Sequence, residues 1–401
     1  MFAEILIALV IGILAGCITG LIPGLHINLV SLFVVSLFGY LAGFGGIILA
    51  VFIVAMAVTH TFMDIIPAVF LGAPDSDVAL GVLPGHKLMM KGFAYQAVKL
   101  TIIGSFFSLL IALALVPLFV KIIPFAYEIL KNYIGWILLA VVVFMIIMEK
   151  GFRNKFWSII VFMMSGILGL IVFNIPKVEQ GLFAMLTGLF GVSMLIISIY
   201  QKIKIPEQNT EASVDISRKN TLKSLLAGVF SGSLVSFFPG LGPAQGAVIG
   251  SEIIRSAENN SFLILLGGIN TVNMVVSFVT LYTIDKVRNG AVVAISQLIE
   301  INGSLLILFL ITTLIAGGIA AMIALFISKG FSKIISRINY QLLCFIVIIF
   351  ILIVAFLLSG FLGLLILAVA TSIGLVPNLL GIKRSHAMGC LLLPVILWFI
   401  F

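Results

Sequence analysis

Two proline-glycine stretches, at matching places in the two halves of the chain, carry the clearest indication of ligand-binding chemistry. Their useful residues are Pro23, Gly24, His26 and Asn28 in the first stretch, and Pro239, Gly240, Gly242, Pro243 and Gln245 in the second. Proline removes a backbone donor and glycine permits unusual dihedral angles, so both stretches interrupt regular helix. A helix that begins after such a break has free N–H groups and a positive dipole end, which favour an anion. We predict that the two stretches approach each other around an anionic ligand; the alternative is a tight surface turn in each half.

A second group of polar residues lies in the third long apolar segment of each half. His60 and Asp64 are four residues apart, so they share one helical face. Ionisable groups inside a membrane span are costly and usually mark a pathway or a proton relay. The predicted ligand-binding residues of this group are His60, Thr61, Asn270, Thr271 and Asn273, with His60-Thr61 paired to Asn270-Thr271. The alternatives are that the segment has left the bilayer or that the pair satisfies itself, and two ligands alone do not form a metal site.

The turn at 71–77 adds acidic and hydroxyl groups beside an apolar segment. We predict that Asp75 and Ser76 act together with Asp64 on a co-transported Na⁺ or H⁺. The alternative is an ordinary solvated loop, because Pro-Asp-Ser-Asp is also a strong turn and N-cap signal.

The chain has the composition of a polytopic α-helical membrane protein. Of its 401 residues, 62% are hydrophobic and 9% are charged, and the mean hydropathy is +1.35. Apolar runs long enough to cross a bilayer recur from end to end. The net charge of +8 comes from Lys and Arg in the short gaps between these runs, which is typical of orientation signals and not of nucleic-acid binding. The three cysteines all lie inside apolar runs, which argues against a disulfide framework or a zinc site.

The apolar elements divide into two similar sets around one polar stretch. We predict a first transmembrane repeat at 1–200, a flexible cytoplasmic linker at 201–221 and a second transmembrane repeat at 222–401. The distribution of Lys and Arg indicates an odd number of crossings in each half. The fold class is therefore an all-α membrane protein with two inverted repeats, whose proline-glycine breaks meet near the membrane midplane. The alternative is that some elements are re-entrant hairpins.

Three sets of motifs resemble one protein family. They are PGLH at 23–26 with PGLGP at 239–243, LGAP at 71–74 with GH at 85–86, and KRSHAMG at 383–389. In type and order they resemble the TctA family, the large membrane permease of tripartite tricarboxylate transporters, and the last is most similar to its archaeal branch. The resemblance implies ion-gradient-driven uptake of organic anions such as citrate. Bacterial relatives imply two partners, a small membrane subunit and an extracytoplasmic binding protein.

Together these observations predict a secondary active transporter of the cytoplasmic membrane that moves an organic anion, in particular a carboxylate, with a Na⁺ or H⁺ gradient. No catalytic residue and no cofactor besides the co-transported ion is predicted, since nucleotide-binding motifs are missing. Because the apolar elements contain almost no Lys or Arg, backbone N–H groups and neutral donors are expected to recognise the cargo, and not a buried arginine. The alternatives are a membrane-embedded enzyme acting on a lipid-type substrate and a channel. The sequence leaves open whether the protein is a homodimer.

Overall fold

The computed structural model of the chain is mainly helical in its described part, with no β-strand there. The described residues are 2–22, 27–36, 45–72, 76–175, 181–201, 205–211, 216–238, 242–254, 259–286, 289–337 and 339–401. The helices of the first half are α1 Phe2–Leu21, α2 Ile27–Ser36, α3 Gly46–Met63, α4 Ile65–Phe70, α5 Val82–Met89, α6 Ala94–Leu130, α7 Ile134–Ile147, α8 Phe152–Asn174 and α9 Gly181–Tyr200. Those of the second half are α10 Arg218–Phe237, α11 Pro243–Ile254, α12 Asn259–Ile284, α13 Gly290–Leu298, α14 Gly303–Ile335, α15 Tyr340–Leu380 and α16 Gly389–Ile400.

Eight of these described segments are long and apolar enough to cross a membrane. They are α1, the continuous stretch Gly46–Phe70, α6, α8, α9, α12, α14 and α15. Large apolar side chains are exposed along α1, α8 and α15, whereas α12 is almost wholly buried. Apolar residues on an outer surface are stable only in lipid, so this pattern is that of a multi-pass membrane protein with α12 in its interior.

The long helix α15 is two helices joined at Gly360. The backbone there has φ 60° and ψ −153°, which only glycine adopts readily. A Cβ on Gly363 would lie 2.6 Å from the Ala355 carbonyl oxygen, although residues eight apart in a straight helix are separated by about 12 Å. The chain therefore turns back at this point, in agreement with the two separate apolar elements that the sequence indicates on either side of it.

Two helix pairs, one in each half, pack in the same way. In the α1–α3 pair, a Cβ on Gly16 would lie 2.5 Å from the Met56 carbonyl oxygen. In the α10–α12 pair, a Cβ on Gly232 would lie 2.9 Å from the Ile269 carbonyl oxygen. Small residues at a crossing let membrane helices approach closely. The equivalence of Gly16 with Gly232, which the sequence motifs indicate, is thus repeated in the packing.

These contacts also correct one pairing between the halves. Gly16 faces Thr59 as well, whereas Gly232 faces Val272. His60, the next residue after Thr59, therefore corresponds to Asn273. The expected pairing of His60 with Asn270 is wrong by about one helical turn. The packing of Gly16 and Gly232 defines which residues of α3 and α12 are equivalent, and it does not agree with the short sequence match of His60-Thr61 to Asn270-Thr271.

The closing helices of each half pack against the other half. Gly169 on α8 contacts the Cys390 carbonyl on α16, and Gly374 on α15 contacts the Leu189 carbonyl on α9. The two stretches are also similar in sequence, with SGILGL at 165–170 and ATSIGL at 370–375, so the contacts are equivalent in the two halves. The opposite insertion of the two repeats in a membrane stays a prediction, as do the repeat boundaries.

Part of the linker packs against the start of α6. The Gln208 Oε1 accepts a hydrogen bond from the Ala94 N–H (2.9 Å), and the Gln96 amide donates to the Asn209 carbonyl (2.6 Å). The first N–H groups of a helix have no partner within the helix, so Gln208 supplies one from a distant part of the chain. The expectation of a flexible linker is wrong for residues 205–211.

Candidate functional site

The buried carboxylate of Asp64 lies at a break in the third apolar segment of the first half. Helix α3 ends at Met63, and α4 begins at Ile65. Pro67 explains the break, because it has no N–H to donate to the carbonyl four residues earlier and its ring crowds that carbonyl. Asp64 itself is 2% exposed. An acidic side chain this deeply buried requires polar partners, and the structure supplies one from the other half.

That partner is Asn270 on α12. Its side-chain amide donates to the Asp64 Oδ2 at 2.7 Å, and Asn270 is 3% exposed. The distance is at the short end of the range for N–H···O bonds, as expected for a charge-assisted contact. The sequence predicts both residues for the site and assigns them different roles. The structure joins them directly and places the contact between the two halves.

His60 is held by α1. Its Nδ1 lies 3.1 Å from the Thr19 hydroxyl oxygen, and that hydroxyl donates to the Gly16 carbonyl at 3.2 Å. Since the hydroxyl hydrogen is used in this way, the imidazole Nδ1–H is the donor to Thr19. Thr61, the neighbouring predicted residue, donates to the Val58 carbonyl of its own helix at 2.8 Å. Thr61 is therefore engaged in local helix contacts, as serine and threonine within membrane helices often are.

Asn273 occupies the equivalent place in the second half. The Ser236 hydroxyl on α10 lies 3.1 Å from the Asn273 carbonyl and 3.3 Å from its side-chain oxygen. His60 with Thr19 and Asn273 with Ser236 are thus two versions of one arrangement, a polar residue on a buried helix bonded to a hydroxyl on the helix beside it. Thr271 is fully buried, and its hydroxyl has no hydrogen-bond partner within the described part of the chain.

The second proline-glycine stretch is described only from Gly242 onward. Pro243 begins α11, and the Gln245 side-chain oxygen accepts a hydrogen bond from the Gly242 N–H at 2.9 Å. This bond from the third helical residue back to the N-cap is half of a capping box. The sequence predicts Gln245 as a ligand donor, and that role stays a prediction. Its side-chain oxygen accepts the N–H of Gly242, so this N–H already has a partner.

Several predicted site residues cannot be placed. Pro23, Gly24, His26, Pro239, Gly240 and Asp75 lie outside the described residues, and so do the side chains of Asn28 and Ser76. The approach of the two proline-glycine stretches to each other consequently stays a prediction, as does a role for the 71–77 turn in cation binding.

A second polar cluster, which sequence reasoning missed, surrounds Arg384. This residue begins the 3₁₀ turn Arg384–Met388, just before α16, and is 6% exposed, whereas its neighbour Lys383 is exposed. Its Nη2 donates to the carbonyls of Leu189 and Phe190 at 3.0 and 2.8 Å. Two adjacent basic residues in a gap between apolar runs look alike in the sequence, and both are interpreted there as orientation signals. For Arg384 that interpretation is wrong.

His86 lies beside this cluster in the neutral form. Its Nδ1 is 3.1 Å from the Val69 carbonyl, an acceptor only, so Nδ1 carries the hydrogen and Nε2 accepts from the Tyr340 hydroxyl. Burial lowers the pKa of His86 to about 4, and the positive charge of Arg384 acts in the same direction. The pair Val69 and His86 lies at one end of α4, and Asp64 precedes the other end. The two polar clusters are therefore connected by a single short helix.

A third buried contact joins His386 to Glu149. The imidazole Nε2 lies 3.0 Å from the Glu149 carboxylate, and both side chains are buried. No group of three potential metal ligands occurs among the residues that the structure describes. These contacts tie the 3₁₀ turn before α16 to the end of α7 and fix the position from which Arg384 extends.

Comparison with known proteins gives a family and a relative in an archaeon. The chain matches the family profile described as "Tripartite tricarboxylate transporter TctA family" over residues 6–389. It is also similar to an uncharacterized protein of Methanocaldococcus jannaschii, with 32% identity over 98% of this chain and 99% of that protein. No solved structure matches. The family match and the relative both extend over nearly the whole chain.

Proposed function

We infer the function of this chain from its family: it belongs to the tripartite tricarboxylate transporter TctA family, and it is a multi-pass membrane component of a transporter. The predictions of the family, of a transport function and of a membrane location are confirmed. The family consists of transporter components and not of enzymes, so the alternative of a membrane-embedded enzyme acting on lipids is set aside. The cargo, the coupling ion and the partners are the parts that we propose.

The proposed cargo is an organic anion that carries carboxylate groups, moved by secondary active transport. The observation that carries this proposal is the contact of Asp64 with Asn270. It brings the buried carboxylate of Asp64 in one half against a neutral amide of the other half. A site with one acidic group and neutral donors around it suits a cation on one side and an anionic cargo on the other.

In this proposal Asp64 binds the coupling ion. The helix break at Asp64 interrupts the backbone hydrogen-bond pattern between α3 and α4, and carbonyl oxygens near such breaks coordinate Na⁺ in transporters built from broken helices. If H⁺ is the coupling ion, it binds by protonating the Asp64 carboxylate. Either ion offsets the charge of an incoming carboxylate, so ion and cargo bind more favourably together than separately. Asp75 and Ser76 stay proposed contributors.

The proposed donors to the cargo are Asn273 and His60, the equivalent residues of the two halves. Both are buried, and both are held in place by a hydroxyl group on the adjacent helix. The Asn273 amide can donate directly to a carboxylate oxygen, whereas the Nδ1–H of His60 is already used by Thr19, so His60 donates from Nε2 in its protonated form. The N-terminal ends of the helices that follow the two proline-glycine stretches also stay part of the proposed site. The substitution Gly240→Val tests the second stretch.

The family name also suggests partners. A tripartite transporter has three components, so we propose that this chain works with a small membrane subunit and an extracytoplasmic binding protein.

The experiment is uptake of labelled citrate and succinate into liposomes that contain the purified protein. Uptake is measured under an imposed Na⁺ gradient, under a pH gradient and without a gradient. The proposal predicts accumulation that depends on one of the gradients. Asp64→Asn should change the ion dependence more than the preference between the two carboxylates. Asp285→Asn makes the same chemical change at an exposed position and should behave as the wild type.

Two outcomes would contradict the proposal. Uptake that continues without any gradient and never saturates would indicate a channel. Unchanged ion dependence in the Asp64→Asn variant would remove Asp64 from the coupling site, even if carboxylate transport itself is observed.

A further inference from the structure

Arg384 has more hydrogen-bond donors than its surroundings use. The guanidinium has five N–H groups, and among the described residues only its Nη2 has hydrogen-bond partners. These are the carbonyls of Leu189 and Phe190 and the hydroxyl of Ser193, at 2.8–3.0 Å. The Nε and Nη1 atoms are buried and have no hydrogen-bond partner within the described part of the chain. Three N–H groups of one buried cation thus lack a hydrogen-bond partner within the described part of the chain, and a bound anion would satisfy them.

The charge of Arg384 is also uncompensated within the described residues. No carboxylate in that part of the chain forms an ion pair with it, and the buried Glu149 is bonded to His386. The neighbouring His86 is neutral, because its two nitrogens are used by the Val69 carbonyl and the Tyr340 hydroxyl. A buried charge without a partner costs several kcal/mol, so a native protein retains it when an anion or another partner offsets the cost.

The guanidinium is held in a fixed position. Its three partners lie at the π-helical segment Thr187–Val192 of α9 and directly after it, and such single-turn segments frequently occur at functional sites. The Phe190 ring centroid lies 5.6 Å from the Arg384 Cζ, which is within range of a cation–π contact. The contacts of Nη2 therefore hold the guanidinium in place, and they fix the directions in which Nε and Nη1 point.

The surroundings connect this position to the proposed transport site. The 3₁₀ turn Arg384–Met388 contacts α11, the helix that begins at the second proline-glycine stretch. On another side, His86 and Val69 lie at the end of α4 remote from Asp64. A six-residue helix is about 9 Å long, so Asp64 lies within about that distance of Val69, whose carbonyl contacts His86.

We propose that Arg384 binds the carboxylate cargo through its N–H groups at Nε and Nη1, which point to different edges of the guanidinium and so each bind a separate carboxylate oxygen. This inference rests on the proposed function, in which the cargo is an organic anion, and it replaces the expectation that no buried arginine takes part. The anion removes the cost of the uncompensated charge, and the hydrogen bonds from a guanidinium to a carboxylate are among the strong ones in proteins. A free inorganic anion such as chloride shares this chemistry, and the experiment separates the two.

The test is ligand-induced thermal stabilisation of the purified full-length protein in detergent, with citrate, succinate and chloride as probes at equal ionic strength. A ligand that binds the folded state raises the apparent Tm by mass action, so titrations give a Kd for each probe. The wild type should be stabilised by a carboxylate. Arg384→Gln should raise the Kd for that carboxylate at least about tenfold, as loss of a charge-assisted hydrogen bond does. Arg153→Gln, at an exposed position, should leave it unchanged.

Two further variants protect the test against misfolding of Arg384→Gln. Arg384→Lys keeps the charge but loses the Nε and Nη1 donors, so it should also weaken carboxylate binding. Ser193→Ala removes one contact of Nη2 and keeps the guanidinium, so its Kd should rise by a smaller factor. Without ligand, Arg384→Gln should be at least as stable as the wild type, because it removes an unpaired buried charge.

The contradicting results are distinct. If Arg384→Gln lowers the Tm of the ligand-free protein and leaves the carboxylate Kd unchanged, Arg384 only connects helices, and the inference fails while the proposed function stands. If chloride stabilises the wild type as strongly as the carboxylates do, the site is not one for cargo. If neither carboxylate stabilises the wild type, the proposed cargo class fails together with the inference.

Discussion

The contact between Asp64 and Asn270 permits a quantitative prediction. The two groups are buried, and the amide nitrogen lies 2.7 Å from the carboxylate oxygen. A hydrogen bond to a charged group contributes about 1.5–3 kcal/mol, whereas a neutral one contributes about 1 kcal/mol. Asn270→Ala should therefore lower the free energy of unfolding by about 3 kcal/mol, because it removes the bond and leaves a buried acidic oxygen with one partner fewer.

A double-mutant cycle isolates the interaction. In the Asp64→Asn background the charge is absent, so Asn270→Ala should cost only about 1 kcal/mol, and the coupling energy should be about 1–2 kcal/mol. The assay is reversible unfolding of the purified protein in mixed detergent micelles, followed by a helix signal. The control is Asn302→Ala, the same change at an exposed N-cap of α14, which should cost about 1 kcal/mol in either background.

A coupling energy near zero would refute the reasoning. It would mean that the charge of Asp64 does not act on Asn270, so that the contact is not the junction of the two halves that we describe. A coupling energy near zero is the result in which Asn270→Ala lowers the free energy of unfolding equally in both backgrounds.

Three further predictions concern packing, pH and the linker. Gly104→Ala should destabilise the protein by about 1–3 kcal/mol or prevent its folding, because the new Cβ would collide with the Ile264 carbonyl, whereas Gly330→Ala, which meets open space in α14, should be neutral or slightly stabilising in the same unfolding assay. Burial lowers the pKa of His86 to about 4, so the contribution of this residue to the free energy of unfolding should be fully present above its ordinary pKa of 6.5. As the pH drops from 6.5 toward 4, the free energy of unfolding should fall by about 3 kcal/mol. Thermal unfolding measured against pH should show a smaller dependence in His86→Gln. Gln208→Ala should release residues 205–211 from α6 and speed cleavage of the linker in limited proteolysis, whereas Glu211→Ala, at an exposed position, should not; equal cleavage rates would argue against the docked linker.

Much of the fold follows from the sequence because the membrane leaves few alternatives. Long apolar runs must be helices there, and glycine or proline must interrupt them, as at Gly360 and at Asp64 before Pro67. The correspondence of Gly16 with Gly232 is also visible in the sequence, since both precede a proline-glycine stretch at the same distance.

The remaining features depend on contacts between residues far apart in the chain. The partner of Asp64 lies 206 residues away, and the correct equivalent of His60 depends on which turn of α12 faces Gly232. Burial of Arg384 depends on the carbonyls of Leu189 and Phe190, which no local pattern connects to it. The linker is polar and contains proline, which is typical of a flexible segment. The Gln208 side chain nevertheless accepts a hydrogen bond from the Ala94 N–H at the start of α6.

The most direct test of the central claim is carboxylate uptake by liposomes containing Asn273→Ala, compared with Asn302→Ala and the wild type. In the proposed site Asn273 contacts the cargo, whereas Asn302 caps the start of α14 at an exposed position. We expect saturable uptake in the wild type and in Asn302→Ala, and at least a roughly tenfold lower kcat/KM in Asn273→Ala, as expected for the loss of a hydrogen bond to a charged group. Uptake by Asn273→Ala with the kinetics of the wild type would contradict a cargo site between the two halves.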